Sequence, residues 1–514
     1  MTDEDDPTAV LPEEHDEVSI PLERDPAPEP KRKMTARDAA LVSVRVATGV
    51  VGVGVAAAVI ALATLVPLPT LSAVPASDRI TPVATAQQLV CPGAMLRLGD
   101  DQGEAAGDAS AIGEPEYDGA ADSGELAEAA FSASAAGTAD TAAAPRLLSS
   151  PPGDGDEPVL LSGAQSQRVD SGDVDGLTAA GCEAARGDSW LVGGATDVGR
   201  TTVITLANPS EVAATVDLEV FGESGLVEAP GTSGIIVPAG DQRVLSLAGF
   251  QPGLVSPVVH VSSEGGQVVA GLQQTTVRGL EAGGVDLIGA AAQPARSTVI
   301  PGLVLDDTAA TQALVGRGEG YDDARTTVRL FSPAAGGAET DAPLQATVSL
   351  IPEDDSGTGA SFDVELQGGR VTDVPLEDVP DGRYTVSVDA QERVVAAVRA
   401  TTASDDATDF AWLVASPVLG DTAQVTVAQG PSPRLHLANT TADELTVTVG
   451  EGASADEIEL GPGATVSVAL GAGRTYPLSG TTGVAAAVTL SAADGLARYS
   501  VTPPGAGSEP ITVY

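Results

Sequence analysis

Over much of this chain, hydrophobic and polar residues alternate at every second position in short runs. In ATVDLEVFG, from Ala214, the residues Val216, Leu218 and Val220 fall on one face of an extended strand, and Thr215, Asp217 and Glu219 fall on the other. The texture recurs in TTVITLANP from Thr201, PVVHVSS from Pro257, TTVRLFSP from Thr326, ATVSLIPE from Ala346, VVAAVRATT from Val394, LTVTVG from Leu445 and ATVSVAL from Ala464. Gly, Pro, Asn and Asp punctuate the runs. Strands of about 5–8 residues between such turns predict a mainly β fold of tandem β-sandwich, Ig-like units. No strand–helix alternation is present to build a parallel α/β sheet.

The alternating segments repeat on a larger scale. Leu206-Ala207-Asn208 and Leu437-Ala438-Asn439 each sit between two alternating runs, downstream of Trp190-Leu191-Val192 and Trp412-Leu413-Val414. The middle of the chain carries a weaker version around TTVRLFSP and LQATVSLIP. Self-similarity of this kind predicts three units, 189–300, 301–408 and 409–514. Trp190 and Trp412 are the expected large core anchors, each at the start of a unit.

The pattern is different upstream. Val46 to Leu65 reads VATGVVGVGVAAAVIALATL, without a charge. About twenty such residues, at about 1.5 Å rise each, span a hydrocarbon core of about 30 Å. Lys31, Arg32, Lys33, Arg37 and Arg45 precede the segment, and Asp78 is the first charge after it. This asymmetry predicts a single-pass signal-anchor helix within 37–69, with the N-terminus cytoplasmic and the bulk of the chain outside the cell membrane. A cleaved signal peptide, cut near Val74-Pro75-Ala76, is the rival reading; the apolar run is long for it. Residues 1–36 are acidic and Pro-rich and read as a disordered tail. Residues 70–188 hold the cysteines and, from about 99 to 152, an Ala/Gly/Ser/Asp/Glu-rich stretch without periodicity, expected to be a flexible insertion.

Composition narrows the function. The net charge of −47 rules out nucleic-acid binding through phosphate neutralisation. Aromatic residues make up only 3 %, so small aliphatic side chains must fill the core. Cys91 and Cys182 are the only cysteines, and in an oxidising exterior they are most simply one disulfide. Two cysteines without nearby His supply too few metal ligands, and a redox pair would lie closer in sequence. DSGDVDG from Asp170 fails as a calcium loop, because Gly172 and Val174 take ligand positions. His15, His260 and His436 are the only histidines; no G-x-S-x-G elbow, HExxH or P-loop accompanies them. The acidic doublets Asp306-Asp307, Asp322-Asp323, Asp354-Asp355 and Asp405-Asp406 read as solvated turns. Arg186-Gly187-Asp188 and the sequon at Asn439 carry no function in this setting. No catalytic, cofactor-binding or metal-binding residue is expected.

Several stretches carry a resemblance: CPG at Cys91, SWLVGG at Ser189, GRTTVITLANP at Gly199, GPSPRLHLANTT at Gly430, ELGPGATV at Glu459 and the closing PITVY. They resemble an uncharacterised actinobacterial family of single-pass, membrane-anchored, secreted-side β-rich proteins. The resemblance covers most of the chain after Cys91 and transfers no functional residues. The expected role is a structural or binding protein of the bacterial cell envelope, without catalysis, whose partner is an envelope glycan or protein. The alternatives are an enzyme or accessory subunit acting on envelope polysaccharide, and a transmembrane sensor.

Overall fold

The strand Ala214–Gly222 keeps its predicted faces: Ala214, Val216, Leu218 and Val220 are buried, and Thr215, Asp217 and Glu219 are exposed. Arg200–Asn208 behaves differently, with all but one residue buried. Strands of both kinds recur in a fixed arrangement. In this computed structural model the described residues are 51, 78–80, 86–99, 109–131, 142–152, 159–333, 343–353, 358–404, 407–504 and 511–513. The acidic tail and the signal-anchor segment lie outside them, apart from Val51. Among the described residues no helix is long and apolar enough to cross a membrane.

The described residues form four two-sheet modules, at 87–182, 188–291, 295–415 and 422–501. The second shows the pattern. One sheet orders its strands Asp188–Val192, Val258–Gly265, Ala214–Gly222 and Gly225–Leu226, with Ile235–Val237 also paired to Ala214–Gly222. The other orders Asp241–Ser246, Arg200–Asn208, Val269–Arg278 and Glu281–Ile288. Numbered along the module with the short Ile235–Val237 strand left out, these orders are 1-6-3-4 and 5-2-7-8.

The fourth module repeats both orders. Its first sheet runs Thr422–Thr426, Thr475–Ser479, Leu445–Val449, Asp456–Leu460, and its second runs Thr465–Ala469, Arg434–Asn439, Val484–Ala492, Gly495–Ser500. The third does so with its sixth and seventh strands fused into one, Gly382–Ala403. The first half of that strand pairs with Ala295–Leu305 and Leu344–Pro352, and the second half with Thr327–Phe331 and Thr408–Val414. Ala360–Leu366 and Val371–Pro375 complete the two sheets. The first module is reduced, with Gln87–Cys91, Arg146–Ser150, Ala127–Ala130 against Glu116–Ala121, Leu161–Ser171, Val174–Gly181. Among the described residues it has no counterpart of strands four and five, and it inserts a hairpin, Met95–Leu98 with Ala109–Ile112.

This corrects three expectations. The module count is four, not three, and ordered strands occupy much of 99–152, expected to be a flexible insertion. Those strands are Ala-, Ser- and Glu-rich, so they carry no alternation to read. The expected unit boundaries also shift: Ala295–Leu305 opens the third module, and Thr408–Val414 closes it. Trp190 therefore lies in an opening strand and Trp412 in a closing one, so the two are not equivalent. The strand order differs from the ABED/CFG arrangement of immunoglobulin constant domains.

The Leu-Ala-Asn repeat has a clear cause. The Asn208 amide donates to the carbonyls of Val212 and Val237 and accepts from Ser210. Asn439 donates to Asp443, Leu460 and Gly461 and accepts from Thr441. Each buried amide ties down the turn after the second strand, the Asx role that Asn fills well. Asn439 is 3 % exposed, so it presents no glycosylation acceptor.

Four closing strands meet at the centre. Val174–Gly181 packs on Glu281–Ile288, which packs on Thr408–Val414, then Gly495–Ser500, which returns to Val174–Gly181. The inner sheets are thus covered on both faces, by their own sandwich core and by neighbouring modules, and this is why Arg200–Asn208 lost its exposed face. Aromatic residues gather where the second and third modules join: Trp190, Phe331, Phe410 and Trp412 share one core cluster, with Phe221 packed against it.

Cys91 and Cys182 form a disulfide across 91 positions of sequence. It joins the end of the first module's opening strand to the residue after its closing strand, beside the backbone bridge of Val90 and Glu183. The crosslink closes the module. Closing a loop of this length contributes about 4–5 kcal/mol in the chain-entropy model. Reduction, or a Cys91→Ser/Cys182→Ser double variant, is expected to lower the melting temperature by several degrees in calorimetry. An unchanged melting temperature would show that the sheets hold the module without it.

Candidate functional site

The two histidines of the described residues have opposite settings. His260 lies flat on Trp190, with ring centroids 4.3 Å apart, and its nitrogens face Glu219 at 2.8 Å and Asp188 at 2.7 Å. Trp190 is thus a core anchor under a surface ion cluster, and the aspartate of the Arg-Gly-Asp tripeptide is the partner of His260.

His436 is fully buried. Its Nδ1 faces Glu353 Oε2 at 2.6 Å, and its Nε2 faces Thr489 Oγ1 at 2.7 Å. Glu353 Oε1 also accepts from Thr385 and the Gly302 amide. A hydroxyl–imidazole–carboxylate chain is the arrangement of a nucleophilic triad. Here Thr489 and His436 are 0 % exposed, and a Cβ at Gly302 would come within 3.0 Å of Thr489 Cγ2. Substrate has no route to this hydroxyl. The relay instead welds the third module to the fourth, with Arg498, which donates to the carbonyls of Pro301 and Val414.

At the hub a single carboxylate holds three other modules. Asp409 Oδ2 accepts the amides of Leu177 at 2.8 Å and Leu496 at 3.1 Å, and Oδ1 accepts Val285 at 3.1 Å. These amides belong to the first, fourth and second modules, and Asp409 belongs to the third. Gly176 and Gly284 make room for it, since a Cβ on either would stand 2.5 or 2.7 Å from Asp409 Oδ1. Burial pushes the Asp409 carboxyl up to about 7, against the pull of the three amides. Asp286 is close by and fully buried. One of its oxygens accepts the Trp412 amide at 2.6 Å, and burial raises its pKa well above the ordinary carboxylate range.

Between the second and third modules lies a cleft of 370 Å³. Three arginines that are at most 8 % exposed line it, Arg200, Arg329 and Arg399, and a fourth, Arg278, 9 % exposed, reaches Asp323 at 2.8 Å. Asp323 accepts from three of them, Arg200, Arg278 and Arg399. Arg399 and the other two guanidinium groups hold its carboxyl below the usual range despite burial. Arg329 forms a fork with both oxygens of Asp373, donates to the carbonyls of Gly194, Val255 and Pro257, and lies over Trp412 at 4.4 Å. The Trp412 indole donates to Gln274.

The sequence reading of Asp323 as a solvated turn does not hold, because Asp323 is the shared partner of three arginines that local pattern does not single out. The available signal was arginine inside apolar strand runs, as in TTVRLFSP and VVAAVRATT, where a solvated face is not on offer. Asp307 does act as a turn residue, capping the helix Thr308–Val315 through the Ala310 amide. Asp354, Asp355, Asp405 and Asp406 lie outside the described residues. Among the described residues no cluster of His, Cys, Asp or Glu could hold a metal ion.

These features define a repeat-built, mainly β protein whose modules are fixed by buried polar clamps. Its particular family follows from comparison: residues 135–479, about two thirds of the chain, match the Family of unknown function (DUF5719), and the chain belongs to it. The matched span runs from the first module to the sixth strand of the fourth. Neither the curated proteins nor the solved structures contain a match to the chain.

Proposed function

We propose that this is a membrane-anchored, extracytoplasmic binding protein of the bacterial cell envelope, of actinobacterial type, without catalytic activity. The cleft between the second and third modules carries this reading. It offers guanidinium, carboxylate and amide groups to a ligand on a frame of buried ion pairs, whereas the hydroxyl–imidazole–carboxylate relay is sealed from substrate. Binding sites of this size, with a few convergent polar groups, take small molecules or one or two residues of a polymer. The apolar run at Val46–Leu65 and the bases before it support anchoring, with an envelope glycan or protein as partner.

Two measurements test this. Protease added to intact spheroplasts is expected to digest the chain beyond the anchor; a protected C-terminus would overturn the topology. Full-length protein in detergent, offered envelope polysaccharide, is expected to retain it and release no fragments. Turnover would promote the rival reading of an enzyme or accessory subunit.

A further inference from the structure

Arg399 is the least satisfied of the four cleft arginines. Arg329 uses its whole fork on Asp373 and three carbonyls. Arg200 and Arg278 each add backbone carbonyls to their share of Asp323: Val198 and Gly320 for the first, Gly320 and Gly283 for the second. Arg399 has only long bonds, 3.3 Å to Thr401 Oγ1 and 3.2 Å to Asp323 Oδ2. A guanidinium has five N–H donors, so three have no partner among the described residues. The group is 4 % exposed and lies over the Phe410 ring at 4.3 Å. Stacking fixes its plane and leaves its donors at the edge.

The local charge is unbalanced. One carboxylate, Asp323, serves three guanidinium groups. A second acid, Asp197, reaches only Arg200, at 3.7 Å, and the other two acids of the cleft are engaged elsewhere: Asp373 with Arg329 and Asp322 with Arg325. Burial and the neighbouring arginines outweigh Asp323 and hold the Arg399 pKa down to about 10. A buried guanidinium with spare in-plane donors matches a carboxylate, which accepts two parallel bonds. Gln274, Thr327 and the outer faces of Asp373 and Asp197 present both donors and acceptors, which suits hydroxyl groups rather than apolar surface.

We propose that this cleft binds a sugar acid, the carboxylate seated on Arg399 and the hydroxyls on Gln274, Thr327 and Asp373. The proposal deepens the binding reading above by naming its site and ligand class. The experiment is calorimetric titration of the full chain in detergent with glucuronate, glucose and acetate. Glucuronate is expected to bind, with glucose and acetate each weaker by about tenfold or more, as for loss of a charge-assisted bond or of the hydroxyl contacts. Arg399→Gln is expected to weaken glucuronate by about tenfold or more, and Arg399→Lys by less.

Arg399 also serves the module joint, so a second variant keeps the test open. Thr327→Tyr fills the cleft without touching an ion pair and is expected to abolish binding at an unchanged melting temperature. Failure of glucuronate to bind, equal binding of glucose, or full affinity in Thr327→Tyr would overturn the proposal. If glucuronate fails while envelope polysaccharide is still retained, the sugar-acid site falls and the binding reading stands.

Discussion

Asp409→Ala is expected to destabilise the chain by about 3–6 kcal/mol, because it strands three buried amide donors at once, each worth about 1–3 kcal/mol. Those amides belong to Leu177, Val285 and Leu496, one from each of the other modules. The loss therefore falls on the joint rather than on one sandwich. Denaturant unfolding measures it, and the variant is expected to shed cooperativity as well. A loss below about 1 kcal/mol, the scale of an ordinary hydrogen bond, would mean that the hub is held by strand packing alone.

The same residue gives the fold a pH dependence. Its folded pKa, about 7, lies above the ordinary 3.8, so the folded chain holds a proton that the unfolded chain has released. The stabilisation is complete below about pH 3.8 and is lost as pH rises through about 7. Wild-type stability is expected to fall across that window relative to Asp409→Asn, by up to about 1.4 kcal/mol per pH unit. A constant difference between the two across the window would remove Asp409 as the titrating group.

Much of the β architecture was legible because module two advertises itself. Ala214–Gly222 has one face in a core and one in water, the condition under which period-2 alternation appears. The Leu-Ala-Asn turn was legible because a buried amide does the same work at Asn208 and Asn439. The first module was illegible for the converse reason. Glu116–Ala121 and Ala127–Ala130 are half-buried or exposed strands of small and acidic residues, and nothing in their composition separates them from a solvated linker. The cleft was hidden by distance: Arg200 and Asp323 are 123 positions apart, and Gln274 and Trp412 are 138 apart. Local patterns report which face of a strand is covered but not which module covers it. The disulfide was readable because two cysteines leave only one pairing.

The joint between the third and fourth modules makes the second large prediction. Glu353→Ala is expected to cost about 3–5 kcal/mol, because it strands several buried donors at once, each worth about 1–3 kcal/mol. It leaves His436, Thr385 and the Gly302 amide facing an apolar void at 0 % exposure. Glu353→Gln keeps the shape and one acceptor. Its amide can donate to His436 Nδ1 while Nε2 turns donor toward Thr489, so its cost is expected to be smaller. Thr489→Val removes only the far end of the chain and is expected to cost about 1 kcal/mol, as for one neutral hydrogen bond. The order Ala above Gln above Val, read from urea midpoints at constant m, is what a carboxylate serving several buried donors at the joint requires. Equal costs for Glu353→Ala and Thr489→Val would mean that the carboxylate adds nothing beyond a hydrogen bond, and that apolar packing of the Ala295–Leu305 strand against the fourth module holds the joint.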